Sequence, residues 1–552
     1  MTGLMQSAPI GWAKNRHADQ SLERIAWIGW FILFGMLSAI WPRDAGFDVM
    51  HYHLHNGWSA MNGRLHSDLA PAEMHSFLNP TYSVVVWWLI DSLPGPAVAF
   101  ILGLGQATIL PVLFGLVRRL ASTLGRDMKR SLALGLALLG FFCAPAWSSF
   151  ASLRNDHLGA VGFLIALYLA LPKSKGGAVS ALNLLLAAGC VGFVAGLKLT
   201  NIIYVPAFAV FVLVLSENWT ERARRAALCA GAGATCFLIA AGPWMLILWQ
   251  EFSNPVYPNF ANAFGGPDAP TEASRDMRYL PKTLVDAISL PIRASVEGRF
   301  INELAVFDLR LALGYFCAIS VVILSLGRHV TPRPAIALTV SLLTVLGVWI
   351  GLFSIMRYAA AFWMLAPLMA WTAWTVTGLN WPAGRMGSAL FTGLGLTLLG
   401  STSPENVRRI GWDGPMARYV SVERPADLDY ENAMIFIAAE FPAAFTATAF
   451  PEARITHIDA QDWSAPFLAN YRSRIEEALE AHDGPLYLIH CWPKWIDLAN
   501  GGAVMDAYTA VGALEGDGER YGLSLGEDAC RDLPTSFSTD QTRWQICPVE
   551  KG

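Results

Sequence analysis

Apolar residues before Leu399 gather into long runs that end in charged or turn-forming residues. The runs lie at 25–41, 97–117, 131–147, 158–171, 179–197, 202–215, 226–249, 304–326, 335–353, 359–376 and 386–399. A hydrocarbon core about 30 Å thick is crossed by about 20 helical residues, so this pattern predicts eleven transmembrane helices. The stretch 82–90 is too short to cross and is cut by Asp91, Pro94 and Pro96, which predicts a juxtamembrane helix in the first outward loop. Beyond Leu399 the pattern changes to short apolar runs, such as 435–437, 454–458 and 485–489, with one amphipathic helix expected over 466–482. The expected architecture is an α-helical polytopic membrane protein, residues 1–400, followed by a small α/β unit, residues 401–552.

Composition agrees with that division. Across 552 residues, 54% are hydrophobic and only 15% charged, too apolar for a soluble globule of this size. From Ser401 onward there are 24 acids against 12 bases, so an acidic tail follows a basic membrane part. The bases sit at helix ends rather than on one face, which excludes a nucleic-acid footprint. Lys14, Arg16, Arg24, Arg118, Arg119, Arg126, Lys129, Arg130, Lys173, Lys175, Arg222, Arg224, Arg225, Arg328, Arg333 and Arg385 fall on one side of the alternating spans. Short loops rich in Lys and Arg stay in the cytoplasm, so the N-terminus is expected there and the tail outside. The first run ends in Trp-Pro-Arg with no small-residue cleavage site and reads as a retained anchor. In an oxidising compartment Cys530 and Cys547 are candidates for pairing, while the cysteines of the apolar runs read as small buried hydrophobes.

The chemistry-bearing residues collect on the outward side. The first outward loop carries Asp44, Asp48, His51, Tyr52, His53, His55, His66, Glu73 and His75, and ionisable groups beside hydrocarbon are costly unless paired or hydrated. Asp156 opens the second outward loop, although an aspartate there reads equally well as a helix cap. Lys198 and Arg357 stand at later outward boundaries, where a cation either holds a phosphate or snorkels to the headgroups. Arg154, Arg275 and Arg278 are further cationic candidates. His51 and His55, four apart, would share one helix face and offer two metal ligands; the alternative is hydration at the interface.

Together these motifs resemble the GT-C glycosyltransferases, polytopic enzymes that take a sugar from a polyprenyl-phosphate carrier and include bacterial protein O-mannosyltransferases and lipid A aminoarabinose transferases. The resemblance covers most of 25–399 and rests on Phe47-Asp48-Val-Met-His51-Tyr52-His53-Leu, Ala60-Met-Asn-Gly63-Arg-Leu, Asn155-Asp156, Gly196-Leu-Lys198-Leu-Thr, Gly242-Pro-Trp, 253–258 and Arg357-Tyr358. It implies Asp48 as general base on the acceptor hydroxyl and Asp156 as the group positioning the acceptor or a divalent cation. Lys198 and Arg357, with Arg154 and Arg278, would hold the donor phosphate. Tyr52, His53, His55 and Tyr358 would contact sugar or acceptor, and Glu73 and His75 would be metal ligands. The donor would be a polyprenyl-phosphate sugar, the acceptor a glycan, lipid or protein, and the location the bacterial inner membrane with a periplasmic tail. A sugar phosphoester carries its own leaving group, so one base and a cationic cradle suffice, and a single displacement inverts the anomeric carbon. A polytopic transporter or lipid-linked glycan flippase is the rival class; it would place charges mid-span or in two related halves, neither of which the sequence shows.

Overall fold

The structure, a computed structural model, describes residues 10–265, 276–327, 331–378, 384–437, 442–458, 465–492, 521–525, 530–540 and 542–552. Every apolar run of the membrane part carries helix. Six helical segments are long and apolar enough to cross a membrane: Ser21–Ile40, Gly95–Thr123, Trp219–Phe252, Arg310–Gly327, Arg333–Leu352 and Met356–Thr377. Arg130–Phe141, Asp156–Ala170, Ala181–Leu197 and Leu199–Leu215 are apolar but shorter. Two runs are trimmed by local chemistry. The run at 304–326 becomes helical only at Arg310, because Asp308 turns its carboxylate onto Arg310 and onto the backbone N–H of Ala144. The run at 131–147 breaks at Phe141 and resumes as a short helix, Ala144–Ser148, with Pro145 in its first turn.

Close packing in this part is made by small residues, as in membrane helix pairs generally. Helix Ala181–Leu197 lies against Trp219–Phe252 so tightly that a Cβ on Gly192 would strike the Gly233 carbonyl, and one on Gly196 would come within 2.7 Å of the Phe237 carbonyl.

The first outward loop is almost fully structured. A two-residue strand, Arg43–Asp44, pairs antiparallel with Arg409–Ile410 just after the last apolar run. A π-helical turn, Val49–His53, leads into helix Leu54–Met61, and two 3₁₀ turns, Arg64–His66 and Glu73–Phe77, precede helix Thr81–Ser92 over the predicted juxtamembrane stretch.

Beyond Gly400 a mixed sheet forms in the order Arg454–His457, Met434–Ile437, Leu486–Trp492, Arg543–Lys551, Leu523–Leu525. Its first three strands run parallel and the last two pairings are antiparallel. The amphipathic helix occupies Ala465–Glu480, and Cys530 and Cys547 form a disulfide. This unit is docked on the first loop. Leu69 donates its N–H to the Ile455 carbonyl at 2.8 Å, and Thr456 Oγ1 donates to the Leu69 carbonyl at 3.0 Å, so the loop adds a rung to the edge strand. Asp68 accepts from Ile455 N–H at 3.1 Å, and Arg64 binds both Asp68 and the Pro451 carbonyl. One buried apolar cluster joins Val49, Tyr52 and Trp58 of the loop to Ile435, Phe445 and Trp544 of the sheet unit. Loop and tail therefore share a core.

Candidate active site

Four separate segments deliver two carboxylates and two cations to one place. Asp48 precedes the π-helical turn, Asp156 is the first residue of helix Asp156–Ala170, Lys198 follows helix Ala181–Leu197 in extended backbone, and Arg357 lies in the 3₁₀ turn Met356–Ala359. Lys198 Nζ donates to Asp156 Oδ1 at 2.6 Å. Arg357 lies between the two acids, with Nη2 3.1 Å from Asp48 Oδ2 and Nε 3.7 Å from Asp156 Oδ2. The Tyr358 ring is 5.2 Å from Lys198 Nζ and 5.6 Å from the Arg357 guanidinium carbon, a cation–π seat for both. Its backbone carbonyl is fixed by Tyr204 Oη at 2.8 Å. Neither Asp48 nor Asp156 caps a helix with its side chain; both are spent on ion pairs.

The cluster is neutral in sum and unevenly buried. The Asp156 side chain is 2% exposed, whereas those of Asp48, Lys198 and Arg357 are 13%, 15% and 16% exposed, so the open side is the one bounded by Asp48, Lys198 and Arg357. Burial alone would raise the Asp48 carboxyl, but Arg357 and then Lys198 outweigh it and hold it below the ordinary aspartate value. Around the charges lie buried polar atoms without a hydrogen bond among the described residues: His53 Nε2, Asn155 Oδ1 and Thr200 Oγ1. Native interiors leave few such atoms, and several beside one charged cluster mark a place shaped for a polar ligand. His53 Nδ1 meets Ser83 Oγ at 3.3 Å. Burial, then Lys198, lowers this imidazole to about 4, so it is neutral at pH 7.

A second cluster lies behind Tyr52. Glu73 is fully buried at a left-handed φ of 49°, a conformation that costs a non-glycine residue of order 1 kcal/mol or more and points to a position fixed by its surroundings. Its Oε2 is 3.9 Å from His51 Nε2 and its Oε1 is 3.9 Å from His457 Nε2. His51, Glu73 and His75 present ligand atoms within 4.8 Å of one another. His75 stacks on Tyr52 with ring centroids 5.1 Å apart. The expected His51–His55 pair does not form: His55 Nδ1 meets Asn56 Oδ1 at 3.1 Å, while His51 faces Glu73. His51 lies in the π-helical turn Val49–His53 and His55 in the α-helix that follows, so the two do not share one regular helix.

Arg154 serves a third network. Its guanidinium is directed at Asp44 Oδ2 at 3.5 Å, Glu405 Oε2 at 3.2 Å and the Ser148 carbonyl at 2.6 Å, buried among protein acceptors instead of opening on the Asp48 cluster. It braces the first loop, the second loop and the segment after the last apolar run. Arg278 is half exposed and paired with Asp276 at 2.7 Å and Glu303 at 2.9 Å. Arg275 lies outside the described residues. His457 and Glu405 were not singled out from sequence, and no local signal marks them; each is defined by a partner hundreds of positions away.

Two buried histidines give a pH prediction. Burial lowers His55 and His490 to about 4, so both are neutral in the fold at pH 7. An unfolded histidine protonates near 6.5, and below that value the unfolded chain binds more protons. Stability is therefore complete above about pH 6.5 and falls toward pH 4, by up to about 1.4 kcal/mol per pH unit for each group. Thermal unfolding at pH 7.5, 6 and 5 should show this slope, and H55Q should flatten it.

No family model matches the chain. A stretch of 232 residues, 41% of this chain, is 26% identical to the polyprenol-phosphate-mannose-dependent alpha-(1-2)-phosphatidylinositol pentamannoside mannosyltransferase of Mycolicibacterium smegmatis. The match spans 47% of that relative, about half its length. Among solved structures, ArnT from Cupriavidus metallidurans, crystallised with undecaprenyl phosphate, aligns over 98% of both chains at 12% identity and a TM-score of 0.43. Over that stretch the chain is similar to a polyprenol-phosphate-mannose-dependent mannosyltransferase, in keeping with the resemblance its motifs carry.

Proposed function

We propose that this chain is a membrane glycosyltransferase that moves a sugar from a polyprenyl-phosphate carrier to an acceptor hydroxyl on the outward side, by one inverting displacement with Asp48 as general base. The supporting observation is the meeting of Asp48, Asp156, Lys198 and Arg357, drawn from four segments, in one partly open ion cluster.

The arrangement has a built-in order of events. In the resting state Arg357 holds Asp48, and a carboxylate kept below its ordinary value is a weak base. A carrier phosphate bound at Lys198 and Arg357 competes for the guanidinium, which prefers planar oxyanions. Its partial withdrawal raises the Asp48 carboxylate toward a useful basicity only when donor is present. The acceptor oxygen then attacks the anomeric carbon, its proton passes to Asp48, and the bond to the phosphate oxygen breaks with the electron pair leaving on the carrier. Lys198 and Arg357 stabilise that growing charge. Asp156 keeps Lys198 aimed, Arg278 guards the rim, and Tyr52, His53 and Tyr358 line the path of sugar and acceptor.

The Glu73 cluster suits a divalent ion of the zinc class, with a carboxylate and imidazoles as donors. His51, Glu73 and His75 would hold it, and His457 Nε2 lies 3.9 Å from Glu73 Oε1 outside that set. Such an ion would tie the π-helical turn that carries His51 to the 3₁₀ turn that carries Glu73 and His75. Elemental analysis of the purified protein should find about one such ion per chain, lost in E73Q.

The transfer reading is tested with labelled polyprenyl-phosphate sugar in lipid nanodiscs. R357K should raise KM for the donor at least about tenfold, because a point charge replaces a bidentate fork. Movement of the intact lipid-linked sugar across a vesicle membrane, with no glycosyl transfer, would instead establish the transporter class.

A further inference from the structure

Helix Leu284–Val296 has three faces. At about 100° per residue, Leu284, Val285, Ile288, Ile292 and Val296 fall in one arc of about 120°, and all five are exposed, between 41% and 76%. The adjoining arc carries Asp286, Ser289 and Arg293, with Arg293 Nη1 3.1 Å from Asp286 Oδ1. The third face, Leu290, Pro291 and Ala294, is buried in the protein, as is Ser295 of the last turn, which at this step falls beside Leu284 at the border of the apolar arc. The last turn is fastened to the start of helix Arg310–Gly327: Ser295 Oγ accepts from Ala312 N–H at 2.8 Å, and the Ser295 carbonyl accepts from Asp308 N–H at 3.3 Å. Helix Arg310–Gly327 is one of the membrane-length helices and itself exposes Phe316 and Ile323.

An apolar arc left open beside a polar arc, on a helix too short to cross, is the pattern of a helix lying in the plane of a membrane surface. We propose that Leu284–Val296 rests in the outer leaflet, with Leu284, Val285, Ile288, Ile292 and Val296 in the acyl boundary and Asp286, Ser289 and Arg293 among the headgroups. The occupant of the open face is the bilayer. A single prenyl chain needs a groove with two walls, and this face is one convex side of a helix. The face belongs to a helix fastened to Arg310–Gly327, which is long and apolar enough to cross a membrane, and this puts it beside the bilayer.

The consequence reaches the active site. The chain just before the helix carries Asp276 and Tyr279, both within electrostatic reach of Arg357, and the chain just after it carries Glu303, whose charge also acts on Arg357. A helix seated in the leaflet fixes the height of these flanking segments, and hence of Arg278, relative to the lipid phosphates. The inference rests on the membrane reading of the chain and not on the transfer reaction.

Single cysteines at Ile288, Ile292, Ser289 and Lys282, each compared with the parent protein in nanodiscs, test it with a membrane-impermeant maleimide. I288C and I292C should label at least about tenfold more slowly than S289C and K282C; equal rates at all four would overturn the proposal. A nitroxide on I288C should be relaxed more by oxygen, which partitions into lipid, than by a water-soluble nickel chelate. The reverse order would overturn it. So would an oxygen preference that vanishes on diluting protein in lipid, which identifies a second copy, or one that arises only with added polyprenyl phosphate, which identifies the carrier. None of these readouts depends on sugar transfer, so an inactive enzyme leaves the outcome intact.

Discussion

Replacing Asp48 with asparagine should lower kcat for sugar transfer by about 10²–10⁴-fold, the contribution ordinarily made by a positioned general base. The amide is nearly the same size, so packing around the π-helical turn is retained. What is lost is the ability to take a proton, together with half of the ion pair to Arg357. The freed guanidinium is then held less tightly before donor arrives, and KM for the carrier-linked sugar should stay level or fall. A drop in kcat with unchanged or lower KM is the signature to look for. Transfer at the parental rate in D48N would remove Asp48 from the chemistry, and a matching loss of thermal stability would reassign it to structure.

The second large effect is on folding. D156A should cost about 1.5–3 kcal/mol, because it leaves the Lys198 ammonium, only partly open to solvent, without its partner at 2.6 Å. Breaking one side of a buried pair is expensive mainly through the charge left behind, so removing both sides should be milder. The double variant D156A/K198M should therefore regain a good part of the stability lost in D156A while remaining inactive. Unfolding curves in a matched lipid–detergent mixture decide the matter: if the double variant is as unstable as the sum of the singles, the pair is not the source of the cost.

Much of this site was visible in the chain as written. Asp48, Asp156, Lys198 and Arg357 each stand at the end of an apolar run, and the distribution of bases puts all four ends on one side; the Arg357 bridge between Asp48 and Asp156 is what such sidedness leads one to expect. The features that escaped are long-range or depend on backbone detail. His457 sits in a short strand with nothing to distinguish it from other polar strand residues, and only the Leu69–Ile455 pairing brings it to Glu73. Glu405 lies in a linker and acquires meaning from Arg154. The His51–His55 spacing was read with a 3.6-residue period, and the chain adopts a wider turn there. Span lengths were legible only coarsely, because run ends such as Asp308 and Cys143-Ala-Pro145 bend the backbone inside stretches that look uniformly apolar.

The rung between Leu69 and the strand Arg454–His457 also sets a timetable for biogenesis. A ribosome feeding this chain into a membrane would release the segment bearing Asp48 about four hundred codons before the strand that completes its packing. Until that strand emerges and folds, the early segment has an unfilled edge, with Glu73 and His51 still waiting for His457. A half-made molecule thus carries a first loop whose packing is incomplete, and the core it shares with the tail closes late, with the sheet.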